Sequence, residues 1–339
     1  MIDEQALWAH LDALAKPRRS LGRLEQLAVT LALTQARRDP RTRPRRVVLF
    51  AGDHGCVADG VSAWPSAVTG MMVGTILSGT ATSNALAATH ECPLRLVDVG
   101  VAGPRAIDPP AFFRDARIGD GSASLAHGPA LTRDQFEGAW HVGVEEADRA
   151  VAEGAAVLIA GEMGIGNTTP AACLTALLTG IDPDAAVGRG AGADDAILAT
   201  KTQVVTRAVT RAAVLLDADA VAAIASVCGY EIAAMAGFYA RGGALGCTLL
   251  LDGYVATAAA LVAERLRPGT RRRMIAGHRS AEPGHAAALD SLGLEPVLAW
   301  DMRLGEASGA LVALPLLDAA AALLTDVARL DAIGADRAD

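Results

Sequence analysis

The sequence predicts an α/β fold: a six-stranded parallel sheet with helices on both faces, Rossmann-like, plus a small helical domain built from both chain ends. Three observations carry the prediction. Short apolar runs alternate with Ala/Leu-rich helical segments along most of the 339 residues, which implies a parallel sheet covered on both faces. Each run ends in glycine together with an ionisable or hydroxyl residue, and in such sheets ligands bind beyond the carboxyl ends of the strands. The chain is also 52% hydrophobic, enough for a large core in one α/β domain with an appendage.

The elements follow in order. Residues 3–15 and 22–37 read as amphipathic helices. They are joined by Lys16-Pro-Arg-Arg-Ser-Leu-Gly-Arg23, whose cations either stay solvated or reach an acidic substrate group. A strand over 47–51 leads into Gly52-Asp-His-Gly55, and a helix is expected from about 66 to 88. A second strand covers 94–100. Residues 102–131, rich in Gly, Pro and Asp, read as one long loop, and such loops in compact domains are often functional. Thr132 and Gln135 have capping-box spacing and open a helix to about 153. After the strand at 156–160, Gly188-Arg-Gly-Ala-Gly192 forms a second glycine-rich turn before a helix carrying Lys201, and helices fill 194–241. Three more strands are expected at 247–252, 273–276 and 295–299, then a helix over about 305–329 and a frayed tail after Gly334. Residues 1–38 and 304–339 are assigned to the small helical domain and 39–303 to the α/β domain.

The stretch Val157-Leu-Ile-Ala-Gly-Glu-Met-Gly-Ile-Gly-Asn-Thr-Thr-Pro170 carries the most chemistry. An apolar strand passes through Gly161, Glu162, Gly164 and Gly166 into a helix that Asn167 to Thr169 can cap, with Pro170 in its first turn. Free N–H groups at such a helix start attract phosphate. Glu162 beside an anion site is not there for phosphate; it suits chemistry or a sugar hydroxyl. A purely structural strand-to-helix turn is the competing reading, since glycine-rich turns are common.

Composition excludes several classes. A net charge of −8 and 4% aromatics argue against nucleic acid. The apolar stretches are interrupted by Glu231, Arg241, Asp252, Glu306 and Asp318, so no membrane span is expected, and the acidic N-terminus lacks a secretory h-region. Cys56, Cys92, Cys173, Cys228 and Cys247 are dispersed and odd in number, which reads as reduced, buried thiols in a cytoplasmic protein. No metal-ligand spacing, dinucleotide fingerprint, P-loop or nucleophile elbow is present. A phosphate cradle and several carboxylates remain, which fits transfer or hydrolysis at a sugar phosphate with no metal and no cofactor.

These residues resemble a known family. Lys16-Pro with Ser20-Leu-Gly-Arg-Leu-Glu25, Phe50-Ala-Gly-Asp-His-Gly55, Gly60-Val-Ser62, Val97-Asp-Val-Gly-Val101, Gly161-Glu-Met-Gly-Ile-Gly-Asn-Thr-Thr169, Asp194-Asp195 with Lys201, Glu231-Ile-Ala-Ala-Met235, Leu251-Asp-Gly253, His278-Arg-Ser280 with Gly284-His285, and Met302-Arg-Leu-Gly-Glu306 run in order over nearly the whole chain. They are similar to the nicotinate-nucleotide:dimethylbenzimidazole phosphoribosyltransferases, the CobT family of cobalamin lower-ligand assembly. The resemblance implies a homodimer that moves the phosphoribosyl group of nicotinate mononucleotide to 5,6-dimethylbenzimidazole. The products are α-ribazole phosphate and nicotinate, with inversion at the ribose C1. It further implies Glu306 as the catalytic base, with Glu162 as a second acid. Phosphate would lie on Gly164, Ile165, Gly166, Asn167 and Thr168, with Lys201 and Ser280 near it. The base would lie among Ser62, Pro65, Met71, Met72 and Leu304.

The chain departs from the family pattern at Lys16-Pro-Arg-Arg-Ser20, at Gly188-Arg-Gly-Ala-Gly192 and at Ser122 and Ser124. Met71 and Thr75 stand where the family carries Gln and Asn. Met71 would make the base pocket more apolar, so a different acceptor, a purine or a phenol, is the alternative, and a non-catalytic nucleotide-binding homologue is a third reading. His54 reads as a loop residue more readily than a catalytic one, His278 and His285 as support or structure, Asp252 as sheet-end packing, and Glu231 as a paired buried acid.

Overall fold

The computed structural model describes residues 2–334; the tail expected to fray after Gly334 lies outside them. Six strands, β1 (Arg45–Gly52), β2 (Leu94–Gly100), β3 (Phe113–Asp115), β4 (Val157–Met163), β5 (Thr248–Leu251) and β6 (Met274–Ala276), form one sheet. Their order is β3-β2-β1-β4-β5-β6 and every pairing is parallel. The order reverses between β1 and β4, which opens a crevice at their carboxyl ends.

Alternate residues of each strand face opposite sides. Val48, Phe50, Leu158, Ala160, Leu249 and Leu251 meet one helical layer. It comprises α5 (Arg133–Ala152), α6 (Thr168–Thr179), the one-turn α7 (Pro183–Ala186), α8 (Asp195–Ala213), α9 (Ala220–Ala225), α10 (Tyr230–Ala244), α11 (Tyr254–Leu266) and α12 (Gly284–Leu292). Val47, Leu49, Val157, Ile159 and Leu250 meet the other layer. That layer holds α2 (Arg23–Gln35), α3 (Ala67–Leu77), α4 (Thr82–Thr89) and α13 (Ser308–Thr325). A third cluster joins Leu7 and Leu11 of α1 (Glu4–Asp12) to Ala28 and Val29 of α2 and to Ala320 and Leu323 of α13. Helix α13 is long and apolar enough to cross a membrane, but Leu311, Leu314 and Leu317 are spent on the sheet face.

Three sequence expectations are corrected. The helix expected over 66–88 is two helices, because Gly79 takes a left-handed φ of 78° after Ser78 and ends α3. The region 102–131 is not only loop: Phe113 to Asp115 pair with Leu96 to Asp98 as an edge strand. The strand expected at 295–299 is not one. Val297 and Leu298 donate to Ala276 and Gly277 carbonyls, but Pro296 has no N–H to give, and the pairing shrinks to a single bridge between Leu298 and His278. Six strands are present, with β3 in place of 295–299.

The cations of the joint after α1 are paired within the protein, and Arg18 and Arg19 stay exposed to solvent. Lys16 pairs with the buried Glu25 at 2.9 Å, and Arg18 and Arg19 pair with Asp12 at 3.0 and 2.8 Å. The capping box at Thr132 and Gln135 forms as expected.

Candidate active site

A cavity of about 540 Å³ lies beyond the carboxyl ends of β4, β5 and β6. Its floor is polar and buried: Glu162, Lys201, Asp252, His278, Ser280, Glu282 and Glu306. One wall is apolar, with Val61, Ala63, Val68, Met72 and Leu304.

Glu162 is the last residue but one of β4, so the strand itself delivers it to the cavity. Asn167 stands before α6 without capping it; its side-chain amide instead donates to Glu162 Oε2. Burial, then the Asp252 and Glu231 carboxylates, push the Glu162 acid up to about 8, against the Asn167 bond. The acid is therefore largely protonated at neutral pH in the free protein. Gly305 sits at φ 87°, and a Cβ there would strike Glu162 Oε1, so only glycine fits between the two acids.

Glu306 and Ala307 follow with φ of 55° and 61°. Two successive left-handed non-glycine residues store strain of the kind found at functional sites, and they aim Glu306 across the start of α13 into the cavity. Ser83, in the first turn of α4, donates to Glu306 Oε2 at 3.1 Å. Burial raises the Glu306 pKa, with the Ser83 bond opposing. Asp252 Oδ1 accepts from Gly309 and Ala310 N–H at 2.7 and 3.1 Å, fixing the first turn of α13 under Glu306.

Fewer N–H groups are unpaired at the start of α6 than the sequence implied. Ile165 N–H is already spent on Thr69 Oγ1 at 3.1 Å, and Asn167 N–H on Gly164 O. Among the described residues the N–H groups of Gly166 and Thr168 have no protein acceptor. Lys201 reaches in from α8, fully buried, and donates to Thr168 Oγ1 and Gly188 O at 2.8 and 2.9 Å. Burial lowers its pKa, and the Glu282 carboxylate works against that loss. Glu282 Oε1 accepts from Gly190 N–H at 2.9 Å.

Ser280 is placed by His285. The Ser280 N–H donates to His285 Nδ1 at 2.8 Å, so the ring proton is on Nε2, directed at Thr257 Oγ1 at 2.9 Å. Burial, with His278 and Arg279 nearby, lowers the His285 pKa to about 3, and the ring stays neutral. His278 lies 3.6 Å from Asp252 and packs over Gly309. His54 is outside the cavity. It pairs with Glu231 at 3.0 Å, both buried, beneath Gly164. Burial opposes a charged His54 ring, but the Glu231 carboxylate outweighs it and the pKa is raised.

The structure brings Ser62, Met72, Glu162, Gly164, Ile165, Gly166, Asn167, Thr168, Lys201, Ser280, Leu304 and Glu306 around one cavity. Pro65 and Met71 are not among the lining residues, and Met71 is 67% exposed. Helix α3 turns Val68 and Met72 inward, and Met71 lies off that face. The loop around β3, expected to be functional, contributes no lining residue. Sequence reasoning missed Ser83, Glu282, Trp64 and Arg303. Ser83 is hidden because the helical pattern runs on through Gly79; Arg303 lies inside the Met302-Arg-Leu-Gly-Glu306 motif with no role of its own, and nothing local marks Glu282 or Trp64.

A helix start with unpaired N–H groups, a buried lysine and two buried acids meet at the carboxyl edge of this sheet, the combination that group transfer on a sugar phosphate requires. The chain belongs to the phosphoribosyltransferase family, whose model (DBI_PRT, "Phosphoribosyltransferase") matches residues 3–334. It is 47% identical over 314 residues to the nicotinate-nucleotide–dimethylbenzimidazole phosphoribosyltransferase of Thermus thermophilus, covering 93% of this chain and 92% of that protein. It is 48% identical over 339 residues to the enzyme of the same name in Mycobacterium marinum, covering 99% and 93%. The crystal structure of CobT from Thermus thermophilus superposes with a TM-score of 0.93 at 43% identity, covering 99% of both chains.

Proposed function

We propose that this protein transfers the 5-phosphoribosyl group of nicotinate mononucleotide to 5,6-dimethylbenzimidazole, giving α-ribazole 5'-phosphate and nicotinate. The single observation that carries the reading is that two buried acids, Glu162 and Glu306, line one cavity together with the unpaired N–H groups at the start of α6, the buried Lys201 and an apolar wall. Phosphate sits on the Gly166 and Thr168 N–H groups with Lys201 and Ser280 beside it. Nicotinate departs as a neutral pyridine. One benzimidazole ring nitrogen attacks C1 while Glu306 takes the proton from the other, a role suited to a buried carboxylate of raised pKa. Glu162, protonated in the free protein, orients the ribose. Holding the two rings across C1 supplies much of the remaining rate.

A different acceptor, purine or phenol, rested on Met71, and that argument goes with its position outside the cavity. Glu162, Lys201 and Glu306 together weigh against a non-catalytic homologue. The helices of 1–38 and 304–339 are read as the small domain, supported by their shared apolar cluster. The protein is read as a cytoplasmic homodimer; its five cysteines are free and buried. Incubation with nicotinate mononucleotide and a panel of bases, with products identified by mass, tests the activity. Product with dimethylbenzimidazole is expected; no product with any base overturns it. Sedimentation tests the dimer.

A further inference from the structure

The segment Gly188-Arg-Gly-Ala-Gly192 has no regular structure, yet side chains from four places hold it. Lys201 donates to Gly188 O. The Glu282 carboxylate accepts from Gly190 N–H and fills the space a Cβ on Gly188 would need. Arg303 donates to Gly190 O at 3.1 Å. Trp64 Nε1 donates to Ala191 O at 3.0 Å. The first two contacts are buried at the cavity floor; Trp64, Ala191 and Arg303 are exposed at its mouth. Trp64 is 50% exposed, with its indole N–H nevertheless held by Ala191 O.

The Trp64 bond differs from the others in what it joins. Trp64 belongs to the segment of Ser62, Ala63 and Val68 that forms the apolar wall, whereas Gly190 lies against Thr168 and Lys201 in the phosphate half. The bond therefore ties the two halves together across the opening.

We propose that Trp64 is a positioning residue that decides between transfer and hydrolysis: by latching the apolar wall to the strap at Ala191 it keeps water from the ribose C1. The inference rests on the transferase reading above. In transfer, the C1–N bond breaks with its electron pair left on the pyridine nitrogen, and the base nitrogen takes its place while the base gives up one proton. In hydrolysis, water takes the base's place, and the products are ribose 5-phosphate, nicotinate and one proton. Both need the same activated bond, so exclusion of water adds to the positioning of the base in favouring transfer. An unlatched mouth leaves water beside C1 even with a base bound.

The test is the ratio of ribose 5-phosphate to α-ribazole phosphate formed from nicotinate mononucleotide and dimethylbenzimidazole, measured by mass spectrometry. Trp64→Phe keeps the ring and removes the N–H. It should raise the ratio about three- to tenfold, the size of one net hydrogen bond. Ala191→Gly leaves the Trp64 and Arg303 side chains in place and loosens the strap, so it reads out the latch even where Trp64→Phe fails to fold; a smaller rise in the same direction is expected. A merely structural Trp64 would lower the melting temperature and leave the ratio at its parental value. An active parent with both variants at the parental ratio overturns the latch alone. A parent that forms no α-ribazole phosphate overturns the transferase reading and the latch with it.

Discussion

The carboxyl edge of the sheet has two halves built from the same residue types and put to different uses. At β1 and β2, Asp53 accepts from Ala102 N–H at 2.9 Å, and Asp98 accepts from Gly100 and Val101 N–H at 3.0 and 2.8 Å and pairs with Arg117 at 2.8 Å. These acids pin the chain around β3 onto the sheet. At β4, β5 and the start of α13, Glu162, Asp252 and Glu306 crowd one another beside an open cavity with few cationic partners. A buried acid that has its donors and a counter-cation holds structure together. Glu162 and Glu306, raised first by burial and then by neighbouring carboxylates, line that cavity instead, and perturbed acids in a cleft are the usual mark of a functional site.

The sharpest way to break the comparison is at Glu306. Glu306→Gln keeps the shape and removes the proton acceptor, so kcat should fall by about 10²–10⁴ while base affinity holds. Near-normal kcat would move the base elsewhere, with Glu162 next to be tested, and a double variant far worse than either single would show two interchangeable bases. Asp98 should respond in the opposite way. Asp98→Ala takes the acceptor from the Gly100 and Val101 N–H groups and leaves Arg117 with Asp120 as its remaining acid, which costs about 1–3 kcal/mol of stability; kcat per folded molecule should stay parental. A lost kcat at full stability would place β2 in the chemistry after all.

Lys201→Ala removes a charged donor from the phosphate half. The KM for nicotinate mononucleotide should rise roughly 10–100-fold, as for a charge-assisted bond of about 1.5–3 kcal/mol, with the KM for the base much less changed. An equal rise in both would put Lys201 outside the phosphate site. A smaller effect concerns pH. Glu162 is raised from 4.5 to about 8, so the fold favours its protonated form. The stability tied to that proton is present below about 4.5 and is lost as pH climbs to about 8. Melting temperatures between pH 5 and pH 9 should fall less steeply in Glu162→Gln than in the parent, and parallel curves would contradict the shift. The smallest effect is at Met71: Met71→Gln should leave relative rates across a panel of bases unchanged, and altered preference would show that the side chain turns into the base pocket in the complex.

Much of this was legible in the residues alone. Apolar runs and their spacing gave five of the six strands, because a buried parallel strand needs a near-continuous apolar run. The 161–169 segment announced its turn, since Gly166 at φ 90° admits little else. The strand 295–299 and the helix 66–88 were misread where one residue, Pro296 or Gly79, overrides a local pattern. The sequence alone determined the layered α/β architecture, the anion-binding helix start and which acids were available. The tertiary structure decided what surrounds each acid: Asp98 and Glu162 end strands in the same way and burial raises both, but Asp98 meets Arg117 and two backbone N–H groups, whereas Glu162 meets the Asp252, Glu231 and Glu306 carboxylates against one Asn167 bond. It also decided the partners of Glu306 and of the 188–192 strap, because Ser83, Glu282, Trp64 and Arg303 meet them from about 90 to 220 residues away in the chain, and periodicity reports only neighbours within a few residues.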